Sequence, residues 1–301
     1  MSGRAEAQPR RGRSTPTALT IAGSDSGGGA GIQADLKAFA RCGVHGVTAV
    51  TAVTAQSTVG VSAVHPIPPD VVLEQVRAVL DDIGVDAVKI GMLGGAEVAR
   101  AVARALDMLP AGTPVVVDPV MVAESGARLL EPDAERVMVE EIVPRATVLT
   151  PNLPEARALV AVGGPDVPAV VARQNDARAE DASEAEVESL ARAVLGLGPR
   201  TVVLTGGHRS NAADLFIDSS DPAKVISIGG PRYPDGAAHG SGCTHSSVLA
   251  AQLALGRAPL EAARVARELA GTAVARGARD IGAGAGPVDV IDLERMRRTG
   301  R

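Results

Sequence analysis

The chain has 301 residues, a formal charge of −5 and 46% hydrophobic residues, but only 1% aromatic ones. That length allows one large α/β domain or two small ones, with a sizeable core built from Ala, Val, Leu and Ile. The acidic balance excludes a broad basic face for nucleic acid, and the missing aromatics exclude a stacking platform for single strands. Two cysteines, Cys42 and Cys243, are too few for a disulfide framework or a zinc site of the usual spacing. No apolar stretch is long enough to cross a membrane. The opening "MSGRAEAQPRRGRSTP" has arginines with no apolar run after them, so it does not read as a secretory signal. Residues 1–16 are expected to form a disordered tail before a single domain spanning 17–296, in the cytoplasm.

From Ala18 onward, short β-rich runs alternate with longer helical patterns. "ALTIAG" predicts a buried strand, followed by a glycine loop and the helical "AGIQADLKAFARCG". "GVTAVTAVTAQ" is rich in β-branched residues, and "PPDVVLEQVRAVLDDIG" predicts a helix with Asp70 as its N-cap. "DAVKIGML" comes next, then a helix over 96–108, the run "PVVVDPVM" and a helix over 133–142. "ATVLTPN" leads into the helical "LPEARALV". The polar, Pro- and Gly-containing segment 161–186 predicts a surface insertion. "TVVLTGGH" is another buried strand, "DLFIDS" and "KVISIGG" pair as a hairpin, and two helices near 242–256 and 259–277 close the pattern.

This alternation predicts an α/β fold: a mostly parallel central sheet with helices on both faces. Ligands of such sheets sit beyond the carboxyl ends of the strands. The unusual residues fall just after the apolar runs: Gly23–Gly31, Gln56, Gly91–Met92, Asp118, Asn152 with Glu155, and Gly206–Gly207. Two glycine loops, "GSDSGGGAG" and "HGSG", each open a helix. Neither is a Walker A sequence or a G-x-G-x-x-G fingerprint, which removes a dinucleotide-dependent dehydrogenase. A bare turn before a helix leaves N–H groups open to an anion, and the helix end should lower the pKa of a thiol at Cys243. From these residues alone, Cys243 is equally a small buried residue at a helix start.

The motifs "TIAGSDSGGGAGIQADLK", "TAVTAQSTVGV", "KIGML", "VVVDPVM", "LTPNLPEA", "TGGH" and "HGSGCTHS" stand in this order. Together they resemble the hydroxymethylpyrimidine and phosphomethylpyrimidine kinases of thiamine biosynthesis, a branch of the ribokinase-like superfamily. The resemblance runs from about Ala18 to "GAGPVDVI" near the C-terminus. It implies a homodimeric ribokinase-like kinase that uses ATP and Mg²⁺ to phosphorylate an aminopyrimidine hydroxymethyl group and then the resulting monophosphate. By position it implies that Gly23, Asp35, Gln56, Met92 and Val120 hold the pyrimidine. Gly240, Ser241 and Gly242 match the anion hole and Cys243 the catalytic base. Asn152, Thr205 and Gly207 match the ATP site, and Asp118 and Glu155 the metal site.

The residue chemistry agrees with these roles. Phosphoryl transfer needs positioning and charge stabilisation, which backbone N–H groups at a helix start provide without a lysine. The Gln56 amide offers a donor and an acceptor, matching a ring nitrogen beside an exocyclic amine. The chain departs from the family at Thr205, where many members have Lys, and in the length of 161–186. Pyridoxal kinase, or a kinase acting on both rings, is the neighbouring reading, and a silent ligand-binding relative is a further one. Gln56 and Met92 favour the pyrimidine, and an intact Gly-Ser-Gly-Cys speaks against a silent relative. Cys42 reads as structural, and His45 and His65 as surface or packing residues. His208 after "TGG" is placed to approach the nucleotide, and His239 and His245 flank the anion hole where they could tune it, with no partner visible in sequence.

Overall fold

The structure, a computed structural model, describes residues 14–122, 129–163, 182–206, 213–233 and 236–299. In chain order the elements begin β1 (Thr17–Asp25), α1 (Gly31–Arg41), β2 (His45–Ser57), β3 (Gly60–Pro66), α2 (Pro69–Ala78), β4 (Ala87–Ile90), α3 (Ala96–Leu106) and β5 (Val115–Val117). They continue with α4 (Pro132–Val137), β6 (Val148–Leu149), α5 (Leu153–Gly163), α6 (Glu184–Leu195) and β7 (Thr201–Leu204). The last are β8 (Asp214–Asp218), β9 (Val225–Ile228), α7 (Ser241–Ala254), α8 (Pro259–Ala275) and α9 (Leu293–Thr299). Among the described residues no helix is long and apolar enough to cross a membrane.

The strands form one nine-stranded sheet in the order β3-β2-β1-β4-β5-β6-β7-β8-β9. The six from β2 to β7 are parallel, while β3, β8 and β9 run antiparallel to their neighbours. The predicted hairpin is thus β8–β9. Strand β3, by contrast, was not expected: five of its seven residues are exposed, so "GVSAVHP" carries no buried alternation to read. Asp70 is not the N-cap of α2. Pro68 holds that position, and Asp70 lies in the first turn, where its charge suits the helix end without a capping bond.

The segment predicted as an insertion is helical at both ends. Helix α5 runs to Gly163, and α6 starts at Glu184 behind a reciprocal capping box between Ser183 and Glu186. Residues 164–181 and 1–13 lie outside the described residues. Pro16, assigned to the tail, already accepts the His45 N–H at 2.8 Å beside the sheet.

Side-chain alternation sends successive strand residues to opposite faces. Leu19, Ile21, Val88, Ile90, Val115, Val117 and Leu149 pack on one face with residues of α2 to α6. Ala18, Ala87, Val116, Val148 and Val203 face the other side, against α1, α7 and α8. As composition required, the core is aliphatic, and both phenylalanines, Phe39 and Phe216, are buried in the second layer. Helix α7 is buried from Thr244 to Leu253, so its position, and that of the glycine turn before it, is set by packing along nearly its whole length.

Candidate active site

The order of strands reverses at β1: the chain steps outward to β2, then returns to place β4 on the other side. A crevice at such a switch point, beyond the strand carboxyl ends, is where parallel sheets bind ligands. Gly23 and Met92 meet there. Met92 is buried after β4, and a Cβ added to Gly23 would lie 2.5 Å from Met92 Cε, so glycine leaves room for the thioether. Gln56 stands near the end of β2. Its backbone N–H donates to Ser26 Oγ at 2.8 Å, Ser26 Oγ donates to the Gln56 carbonyl at 2.7 Å, and Thr54 Oγ1 lies 3.2 Å from Gln56 Oε1. Val120 follows Asp118 in the turn after β5, its N–H donating to the Asp118 carbonyl at 2.8 Å.

The two glycine loops converge. Gly240, with φ of +83°, is the left-handed residue that opens α7. A Cβ there would lie 1.7 Å from the Gly29 carbonyl oxygen, so the two turns touch backbone to backbone. Neither α1 nor α7 has a side-chain cap or an acidic residue in its first turn. On α7 the Ser241 N–H already donates to the Ala238 carbonyl at 2.9 Å, which leaves the N–H groups of Gly242 and Cys243 for another acceptor. Cys243 lies at the start of both helices, on α7 and within hydrogen-bond reach of the Gly31 backbone N–H that begins α1.

The thiol does not behave as the helix end alone predicts. Burial pushes Cys243 up to about 12, the Asp118 and Asp35 carboxylates add to that, and Lys89 with the Gly31 N–H only partly opposes it. The expected lowering is therefore overturned: at rest Cys243 is a neutral thiol.

Beneath it lies a charge cluster that sequence reasoning did not single out. Lys89, completely buried in the middle of β4, reaches Asp35 Oδ1 at 3.0 Å and Oδ2 at 3.2 Å, and lies 3.8 Å from Asp118 Oδ2. Thr20 Oγ1 and Ser247 Oγ donate to Asp35 at 2.6 Å each, and Ser246 Oγ donates to Asp118 at 2.9 Å. Burial would lower the Lys89 ammonium, but Asp35, Cys243 and Asp118 outweigh it and hold the group charged. Asp35, expected to line the pyrimidine pocket, lies under the site instead, fully buried with its carboxylate committed to these partners. The available signal was a lysine inside the apolar run "DAVKIGML".

Asn152 and Thr205 are bridged across the ends of β6 and β7. Asn152 and Glu155 also cap α5 reciprocally: Glu155 N–H donates to Asn152 Oδ1, and Asn152 N–H donates to Glu155 Oε2, both at 2.9 Å. Burial and the nearby Asp118 charge push Glu155 up to about 8, and burial likewise raises Asp118. Two carboxylates that repel each other in a poorly solvated place suit a divalent cation. Mg²⁺ bound mainly through phosphates and water needs no more than one or two. Among the described residues no cluster of three or more His, Cys, Asp or Glu forms a closed metal cage. Gly207 lies outside the described residues. His245 Nε2 lies 3.1 Å from Asp214 Oδ2 without a hydrogen bond between them, and Asp214 Oδ1 accepts the Gly206 N–H at 2.8 Å.

Comparison with known proteins accords with this geometry. The family model for phosphomethylpyrimidine kinase matches residues 25–289. The chain belongs to the phosphomethylpyrimidine kinase family. The kinase is 42% identical to the hydroxymethylpyrimidine/phosphomethylpyrimidine kinase of Rhizobium meliloti over 91% of this chain and 96% of that protein. It is 42% identical to the thiamine biosynthesis bifunctional protein ThiED of Geobacter sulfurreducens, matching 91% of this chain and 52% of that longer protein. Its ribokinase-like fold superposes on pyridoxal kinase from Staphylococcus aureus in complex with AMP-PCP and pyridoxal. The TM-score is 0.78 at 31% identity, covering 94% of this chain and 96% of that one.

The buried cluster makes Lys89 a sensitive position. Lys89→Met should cost about 3–5 kcal/mol of stability in urea denaturation, because Asp35 and Asp118 lose their buried counter-charge. Adding Asp35→Asn should recover part of that loss. A cost below about 1 kcal/mol for the single variant would show that the carboxylates do not depend on Lys89.

Proposed function

We propose that this chain uses ATP to phosphorylate 4-amino-5-hydroxymethyl-2-methylpyrimidine, and then its monophosphate, for thiamine biosynthesis. The observation that carries the reading is the meeting of the two glycine turns at Cys243, with the openings of α1 and α7 directed at one point. In this reading the pyrimidine lies between Gly23, Met92, Gln56 and Val120, and its hydroxymethyl group points at the thiol. Gln56 pairs with the amino edge of the ring, its carbonyl oxygen having a lone pair left after Thr54.

The N–H groups of Gly242 and Cys243 hold the charge that develops on the transferred phosphoryl group, the Ser241 N–H being bonded to the Ala238 carbonyl. Asn152, Thr205 and Gly207 meet the nucleotide. Asp118 and Glu155 would hold Mg²⁺, which supplies charge neutralisation on the triphosphate. The transition state is loose, so the hydroxyl proton leaves late, and the thiolate form of Cys243 is the group that takes it, becoming the thiol. A neutral resting thiol then makes the reaction faster as pH rises and the thiolate fraction grows. The exposed edge strand β3, with Val64 exposed on it and Val59 exposed in the turn before it, supports pairing of two copies.

Four measurements test this. With Mg-ATP, hydroxymethylpyrimidine and its phosphate should both be turned over faster than pyridoxal; the reverse order would make the protein a pyridoxal kinase. Cys243→Ala should cut kcat by about 10²–10⁴-fold and Cys243→Asp by less, while Gln56→Ala should cost roughly 1–3 kcal/mol in kcat/KM. Wild-type kcat/KM should climb without a plateau over about pH 6–9, a range in which the Asp variant stays flat. Light scattering should give the mass of a dimer; a monomer at micromolar concentration would contradict the pairing.

A further inference from the structure

Two side chains outside the assigned set join the two halves of the site. Asp25, at the end of β1, is 2% exposed and its carboxylate is fully engaged. Oδ1 accepts the Gly27 N–H at 2.7 Å; Oδ2 accepts the N–H groups of Gly29 at 3.0 Å and Ala30 at 2.8 Å. The same Oδ2 lies 3.1 Å from Nε2 of His239, the residue before Gly240. With Nε2–H donating, one carboxylate shapes the first glycine loop and grips the second. Burial would raise the Asp25 carboxyl, but the His239 contact and the loop amides outweigh it and hold it below the ordinary value.

The network extends in both directions. Ser26, the next residue, holds Gln56 through the two hydrogen bonds described above. On the other side, the His239 carbonyl accepts the Val288 N–H at 3.1 Å, and the His239 ring lies against Gly29. The segment leading to Val288 also returns to the turn after Gln56, where the Gly284 N–H donates to Thr58 Oγ1 at 3.2 Å. A closed ring of contacts therefore runs from Gln56 through Ser26, Asp25 and His239 to Val288, then through Gly284 and Thr58 back to the β2–β3 turn.

We propose that Asp25 and His239 are positioning residues, whose bond keeps the Gly240–Cys243 turn in register with the pyrimidine edge held by Gln56. The inference rests on the reading that this turn meets the phosphoryl group and Gln56 meets the ring. Neither residue touches the reacting atoms. Their effect is on the alignment of hydroxyl, thiol and phosphoryl group, where an error of about 1 Å can cost 10²-fold in rate. Binding of the ring to its own pocket should depend much less on the bond.

The test is steady-state kinetics of the full chain with hydroxymethylpyrimidine and Mg-ATP, with melting temperatures measured alongside. His239→Ala should lower kcat by about 10–100-fold while KM for the pyrimidine stays within about threefold. His239→Gln, which returns an N–H donor toward Asp25, should recover most of kcat. Asp25→Asn keeps the side chain's volume and should show the same split, so the proposal stays testable if His239→Ala does not fold. A kcat within about twofold of wild type in folded His239→Ala, or a Gln variant no better than Ala, would overturn the positioning role. Cys243→Ala in parallel separates the two ideas. If it is inactive while His239→Ala is normal, only the Asp25–His239 role falls; if it is fully active, the reading of the turn falls with it.

Discussion

The site depends on a contact between two stretches of bare backbone. Gly29 and Gly240 meet so closely that a methyl group on the second would overlap the carbonyl oxygen of the first. This contact brings the starts of α1 and α7 to the same place, and with them the positive ends of both helices. A phosphoryl group can then be held by fixed dipoles, which need no reorganisation during transfer. It also explains why the loops are rich in glycine without carrying a Walker lysine. The cation is elsewhere: Lys89 lies under the site with no exposure to solvent.

Buried charge sets the state of the thiol. A helix end by itself favours a thiolate. Here Cys243 is poorly solvated and near two carboxylates, and these effects win over Lys89 and the Gly31 amide. The same balance raises Asp118 and Glu155, whose charges oppose each other. Serine hydroxyls from α7, at Ser246 and Ser247, tie both acidic partners of Lys89 to the helix that carries Cys243. Movement of that helix would have to break buried bonds, which gives the site its rigidity.

Much of this was legible in the sequence because it is local. Strand ends, glycine turns and helix starts are written in short stretches, so Gln56, Met92, Asp118, Asn152 and Gly240–Cys243 were found where their elements end or begin. What failed was long-range or unsupported by pattern. Asp25 and His239 are 214 residues apart, and Asp35 and Lys89 are 54 apart, so no periodicity links them. Asp35 was assigned to the pocket on resemblance, yet its helix turns it inward to the lysine. Strand β3 escaped because an exposed edge has no buried face to mark it, and Asp70 because the two prolines before it start the helix first. The thiol's state could not be read at all, since it is decided by neighbours contributed by α1, β4 and the turn after β5.

The central claim is that phosphoryl transfer occurs at the Gly240–Cys243 turn, with the thiol facing the acceptor hydroxyl. A crystal structure with hydroxymethylpyrimidine and a non-hydrolysable ATP analogue tests it most directly. The account predicts the γ-phosphate within hydrogen-bond distance, about 3 Å, of the Gly242 and Cys243 amides. It also predicts the hydroxymethyl oxygen between that phosphate and Cys243 Sγ. A γ-phosphate bound away from the turn, or a pyrimidine whose hydroxymethyl group points away from Cys243, would contradict it.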